Sequence, residues 1–196
     1  MILGTAFLPP ATYFTPLIGV NQATIDVNRR FVKQNIRTRC FILSSNGLMR
    51  LVVPVISKGR NLMPDSDIRI SYAEPWQRTH LRSIEAAYGR SPFYIHYIDA
   101  LEEVIMKKHD FLIELNHELM VLVNAWIGLN LEITRTEKNQ KATLEPGDES
   151  DYAEFTDGSE PQHFLTGLSY PQVFSDRFGF VDGLSILDLV MNMGPG

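Results

Sequence analysis

The sequence predicts a mixed α/β or α+β fold, with strands in the N-terminal part, helices after them and one mixed sheet. Three observations carry this. The first 72 residues contain short β-rich runs separated by turn residues. Asn46-Gly47 stands between two apolar runs as a tight-turn signal, since both residues tolerate positive φ. From Pro75 onward the apolar residues recur at helical spacing.

The elements follow in order. Ile2 to Leu8 alternates weakly and reads as a first strand, ended by Pro9-Pro10 because proline cannot donate to a ladder. A loop or short helix through Tyr13, Phe14 and Leu17 leads to a second strand, Ala23 to Val27. Asn28 to Gln34 connects this to a hairpin near residues 37–56, with strands Arg37 to Leu43 and Leu48 to Ile56. Asp67 to Tyr72 places Ile68, Ile70 and Tyr72 on one face of a further strand. A first helix follows Pro75, with Leu81, Ile84, Ala87 and Tyr88 on its apolar face, and stops at Gly89 and Pro92. A second carries Tyr94, Ile98, Leu101 and Ile105 and ends in Lys107, Lys108 and His109, the charge that complements a helix C-terminus. A third carries Phe111, Leu115, Leu119, Leu122 and Trp126, with Asp110 as expected N-cap and Gly128 closing it. Structure returns at Gln172-Val173-Phe174. Leu184 to Met193 is a last helix, with Ser185 as cap and Asp188 in the first turn. The expected organisation is a body over residues 1–135, an acidic loop or linker over 136–162 and a C-terminal segment, 163–196, that packs back on the body.

Composition narrows the function classes. At 44% hydrophobic and 21% charged residues, the 196-residue chain can bury one ordinary core. No apolar run approaches the roughly 18 to 20 residues of a membrane span. Met1 to Pro10 has no basic residue ahead of its apolar stretch, so it reads as a strand and not a signal peptide. Cys40 is the single cysteine, which excludes an internal disulfide and agrees with a cytoplasmic location. The net charge of -5 is unevenly placed. Residues 136–162 hold eight acids and two bases, and outside them 15 acids face 16 bases. No polybasic tract of the kind that binds nucleic acid is present, so nucleic acid is not an expected partner.

Several catalytic motifs fail. His117-Glu118 invites a zinc-protease reading, but the second histidine would fall at Val121. His96, His109 and His117 have no spacing that requires a shared metal, and no metal or cofactor is expected. Neither a P-loop, a Gly-x-Gly-x-x-Gly turn nor a Gly-x-Ser-x-Gly elbow is found. Arg37 and Arg39 could activate a thiol at Cys40, but Arg39 to Leu43 reads as a buried strand, which favours an inert core cysteine.

Two stretches remain. Asp26 to Arg39 holds five bases and one acid. Lys33, Arg37 and Arg39 are interleaved with the amides of Gln34 and Asn35, and Arg37 and Arg39 fall two apart on one strand face. Paired guanidiniums suit phosphate or carboxylate, because each fork grips two oxygens. A solvated strand face, or pairing with the acidic segment, explains the same residues. In Trp76 to Tyr88, a regular helix puts Trp76, His80 and Tyr88 near one stripe. Aromatic walls around a group that titrates near neutrality suit a sugar or base ring, and also describe an ordinary core.

These stretches, in this order, resemble the WbqC-like family. The match runs through Leu8-Pro9-Pro10 with Tyr13-Phe14, Ile25-Asp26, Val32-Lys33-Gln34-Asn35-Ile36-Arg37-Thr38-Arg39, Leu51-Val52-Val53-Pro54-Val55 and Asp67-Ile68-Arg69-Ile70. It continues through Trp76, His80-Leu81-Arg82-Ser83-Ile84, Ala87-Tyr88, Ser91-Pro92-Phe93-Tyr94, Tyr170-Pro171-Gln172-Val173-Phe174 and Leu184 to Pro195. Many members open with His-Gln-Pro-x-Tyr and then a tryptophan. Here Ala6-Phe7-Leu8-Pro9-Pro10-Ala11-Thr12-Tyr13 lacks the histidine and Thr15 to Leu17 lacks the tryptophan, which leaves His80 as the candidate base.

The resemblance implies a cytoplasmic bacterial protein connected with O-antigen or related surface-polysaccharide synthesis. The expected activity is acyl or aminoacyl transfer to an amino sugar, as a transferase. His80 would shuttle a proton. Lys33, Asn35, Arg37 and Arg39 would hold a nucleotide-linked or phosphorylated sugar, with Tyr13, Trp76 and Tyr88 as ring contacts. The alternative is a non-catalytic binding or scaffold protein for an anionic glycan intermediate or a partner enzyme. The oligomeric state is left open.

Overall fold

A computed structural model describes residues 1–56, 63–138 and 169–195. The fold is mixed α/β. Among the described residues the strands are β1 (Ile2–Leu3), β2 (Gln22–Ile25), β3 (Arg39–Ser44), β4 (Gly47–Val52) and β5 (Glu132–Arg135). The helices are α1 (Trp76–Tyr88), α2 (Tyr94–Met106), α3 (Leu112–Trp126), α4 (Ser175–Phe178) and α5 (Ile186–Met193).

The parallel and antiparallel pairings are divided between two sheets, where the sequence suggests one mixed sheet. β1, β2 and β5 form a parallel sheet with β2 in the middle. β3 and β4 form a separate antiparallel hairpin. The short reach of β1 explains the division. The expected strand Ile2 to Leu8 stops at Leu3. Phe7 donates its N–H to the Ile36 carbonyl at 2.8 Å, and Leu8 takes a left-handed φ of 43° that no strand accommodates. β5 was not legible: four residues between a helix and an acidic run carry too short a pattern to assign a period.

The hairpin lies where the residues place it, with its turn one position earlier. Ser45 and Asn46 are the central pair, Ser44 faces Gly47, and Gly47 carries the positive φ of 104°. Asp67 to Tyr72 does not form a strand. Asp65–Asp67 is a 3-10 turn, and the following residues make single bridges to two different partners, Ile70 to Val55 and Arg69 to Phe111. The alternation that suggested a strand persists as burial of Ile68 and Ile70.

The three long helices match their apolar periods. α3 is capped differently from expectation. Phe111 occupies the cap position and donates its N–H to Glu114 Oε2 at 3.1 Å, while the Asp110 carbonyl accepts from Ile70 N at 3.1 Å. Gly128, at φ 67°, closes that helix. Ser185 caps α5 as its sequence suggests: its Oγ accepts from Leu187 N at 3.3 Å and donates to the Leu8 carbonyl at 2.8 Å. α5 packs against α1, α2 and β3. The core is continuous from Phe7 and Leu17 through Ile42 and Ile84 to Leu101 and Leu187. Residues 139–162 of the acidic stretch lie outside the described residues. Among the described residues no helix is long and apolar enough to cross a membrane.

Ser185→Ala removes the cap and a buried hydrogen bond together. It should lower unfolding stability by about 1–2 kcal/mol. Urea denaturation measures this, and an unchanged midpoint would contradict the assigned contacts.

Candidate functional site

Arg37 is the hub of a buried polar cluster. It lies in the turn before β3, because Thr38 N closes back on the Asn35 carbonyl at 3.1 Å and the ladder begins only at Arg39. Its Nε donates to Asp65 Oδ2 at 2.7 Å. Its N–H donates to Asn35 Oδ1, and its carbonyl accepts from Asn116 Nδ2, each at 3.0 Å. Asn116 Nδ2 also donates to Thr5 Oγ1 at 3.0 Å. The expectation that Arg37 and Arg39 present parallel forks on one strand face is therefore corrected: Arg37 points inward to a carboxylate. Asn35 is fully buried and positions the turn. Burial raises the Asp65 carboxyl to about 6, more than the neighbouring Arg37 lowers it. Asn35 Nδ2, Asp65 Oδ1 and Asn116 Oδ1 have no hydrogen-bond partner among the described residues.

The turn held by this cluster forms one wall of an open groove. Lys33, Gln34, Thr38 and Arg39 give it a polar, cationic end. Phe31 and residues Val52 to Val55 give it an apolar side. Gln34 has a left-handed φ of 59°, a conformation costing a non-glycine residue about 1 kcal/mol or more, at the point where Lys33 and Gln34 are exposed. Arg39 pairs with Val52 across the hairpin, and Phe41 pairs with Arg50 next to them. Alternation puts these four on the groove face and Cys40 and Ile42 on the core face. Burial, and then the like charge of Arg50, hold the Arg39 pKa below its usual range.

His80 is on the other side of that wall. It is 4% exposed, with Trp76 edge-on at 5.1 Å and Phe7 at 5.9 Å between ring centroids. Burial lowers its pKa to about 4, against the opposing effect of a hydrogen bond to the Val52 backbone. The imidazole is thus neutral at physiological pH. Its Nδ1 and Trp76 Nε1 lack partners among the described residues. His80 and Arg39 both meet Val52, one through its main chain and one across the ladder, and His80 is not among the described residues that line the groove.

The other ring residues occupy separate places. Tyr13 is buried and donates its hydroxyl to the Gly4 carbonyl at 2.7 Å. Tyr88 is buried beside Cys40 and Asp188, and burial followed by Asp188 pushes its phenol well above the usual range. Asp188, 1% exposed, accepts from Gln172 Nε2 at 2.8 Å, and burial raises its carboxyl to about 6. The Cys40 thiol is pushed up to about 12 by burial, which keeps it protonated. No group of three or more His, Cys, Asp or Glu side chains among the described residues is arranged to hold a metal.

Asp65 and Asn116 escaped sequence reasoning, and Asp188 was read only as a first-turn residue of the last helix. Asn116 had a signal, a carboxamide on the buried stripe of α3 between Leu112 and Leu119. Asp65, in the turn Pro64-Asp65-Ser66-Asp67, had none.

Two outcomes follow from this chemistry. Arg37→Met leaves the Asp65 carboxyl buried and unpaired, and should cost about 3–5 kcal/mol in chemical denaturation. Adding Asp65→Leu should restore much of it, and a double variant no more stable than Arg37→Met would refute the pairing argument. His80 titrates at about 4 when folded, below the ordinary value of 6.5, so its contribution is present above pH 6.5 and lost as pH falls toward 4. The stability deficit of His80→Gln relative to the parent should therefore shrink over that window, by up to about 3 kcal/mol. A deficit independent of pH would mean that the ring is not buried neutral.

Comparison with known proteins bears on this arrangement. Over 98% of its length the chain is similar to Uncharacterized protein Rv1507c of Mycobacterium tuberculosis, at 23% identity and covering 93% of that protein. No solved structure matches. The family model described as the WbqC-like protein family matches residues 5–153, which include the Arg37 hub, the groove and His80. The chain belongs to the WbqC-like protein family.

Proposed function

We propose that the chain binds a phosphorylated or nucleotide-linked sugar through its anionic group in the groove, and presents the sugar for acyl or aminoacyl transfer in cytoplasmic surface-polysaccharide synthesis. One observation carries this reading: Lys33, Gln34, Thr38 and Arg39 line a single groove. Two cations and a hydroxyl can share the three oxygens of a phosphate. The mutual repulsion of Arg39 and Arg50 is relieved when an anion lies near them.

In this reading Arg37, Asn35, Asp65 and Asn116 are positioning residues. They fix the turn from which Thr38 and Arg39 enter the groove. His80 is a positioning residue too, because it holds the Val52 main chain and is not among the described residues that line the groove. Transfer to a sugar amine would form an N–C bond to the acyl carbonyl, break the bond to the leaving group and release one amine proton.

A second reading, a non-catalytic holder of an anionic glycan intermediate, is favoured by one feature. No histidine or carboxylate is among the described residues that line the groove.

Thermal unfolding with a uridine diphosphate amino sugar and a hexosamine phosphate tests the site. Saturation at about 100 times Kd adds roughly 2.7 kcal/mol, a rise of several degrees in Tm. Lys33→Ala and Arg39→Ala should each reduce that rise, and a rise retained in the double variant would overturn the groove as the site. Acylated product formed with an added acyl donor selects the transferase; binding without turnover selects the holder.

A further inference from the structure

The groove has two chemically distinct ends, and a sugar phosphate alone uses only one. Beyond Arg39 the chain leaves β4 as Val52-Val53-Pro54-Val55-Ile56. Val52, Val53, Pro54 and Val55 all line the groove, with Val52 38% and Val53 1% exposed. Single exposed apolar residues are normal. Val52 is not single: it opens a run of groove-lining residues, Val52 to Val55, roughly 10 Å of extended chain that starts at the residue pairing with Arg39. Phe31 also lines the groove. Cation and apolar surface are thus continuous along one slot.

We propose that this slot binds an amphiphilic phosphate: an organic phosphate ester whose other substituent is an unbranched apolar chain. Lys33, Thr38 and Arg39 take the phosphate, and the chain lies along Val52 to Val55. The inference rests on the anion-site reading and narrows the phosphorylated ligand to one with an apolar tail. Charge selects the head, since Lys33, Arg39 and the nearby Arg50 would repel a cationic amphiphile of equal length.

Calorimetric titration of the full chain with inorganic phosphate, then ethyl, butyl and hexyl phosphate, tests it at concentrations below micelle formation. Full burial strengthens binding about fourfold per methylene, and a half-open slot should give about twofold. Arg39→Ala should weaken every member by a similar factor. Val52→Ser, at an exposed position, should flatten the chain-length series. Equal affinities for inorganic and hexyl phosphate would overturn the amphiphile while keeping the anion site. Binding of hexyltrimethylammonium as tight as hexyl phosphate would overturn the cationic head site. No binding of any phosphate would overturn both readings.

Discussion

The buried pair between Arg37 and Asp65 is the constraint on which the rest of the site depends. Two charges out of water are tolerated only when each is matched and hydrogen-bonded. That requirement ties together segments far apart in sequence. Asp65 arrives with its N–H on the Arg29 carbonyl, at the end of the loop after β2. Asn116 comes from α3 and bonds both the Arg37 carbonyl and Thr5, just beyond β1. The first parallel strands and the third helix therefore meet at one residue, and the hairpin starts two residues later. The groove inherits its shape from a contact that it does not contain.

Much of the fold was legible because periodicity reports burial directly. The three long helices and the hairpin have repeated apolar positions, and each forms within a few residues of where the spacing puts it. The short elements were not legible. β1 has two residues and β5 four, so neither completes a pattern, and both exist because parallel neighbours supply their hydrogen bonds. At the site, composition correctly drew attention to residues 26–39 but could not give direction. Arg37 and Arg39 are equivalent in sequence. A tight turn at Asn35 places one before the strand and one within it, so one faces a carboxylate and the other the groove. Tyr13, Trp76 and Tyr88 looked alike as rings, and tertiary packing gave them three different neighbourhoods.

His80 shows how burial redefines a residue that sequence marks as chemical. Its ring is held between Trp76 and Phe7 and against the Val52 main chain, where a charged imidazole is disfavoured. The same low-polarity setting gives Asp65 and Asp188 the opposite tendency, since both carboxyls resist ionisation. Acidification therefore pulls on the fold in two directions, charging the histidine and neutralising the acids.

The contacts of α5 with the N-terminal loop have a consequence for how the molecule is built. Ser185 reaches the Leu8 carbonyl across 177 residues, and Ile186 donates to the carbonyl of Pro9. Contacts of such separation are late events, because the intervening chain must be closed first. On the ribosome, the strained Leu8 turn and its double proline wait for residue 185 to emerge before their partners exist. A segment made 177 residues ahead of Ser185 is thus among the last to be secured. Until then Leu8, destined for the core, stays available to wrong partners or to chaperones.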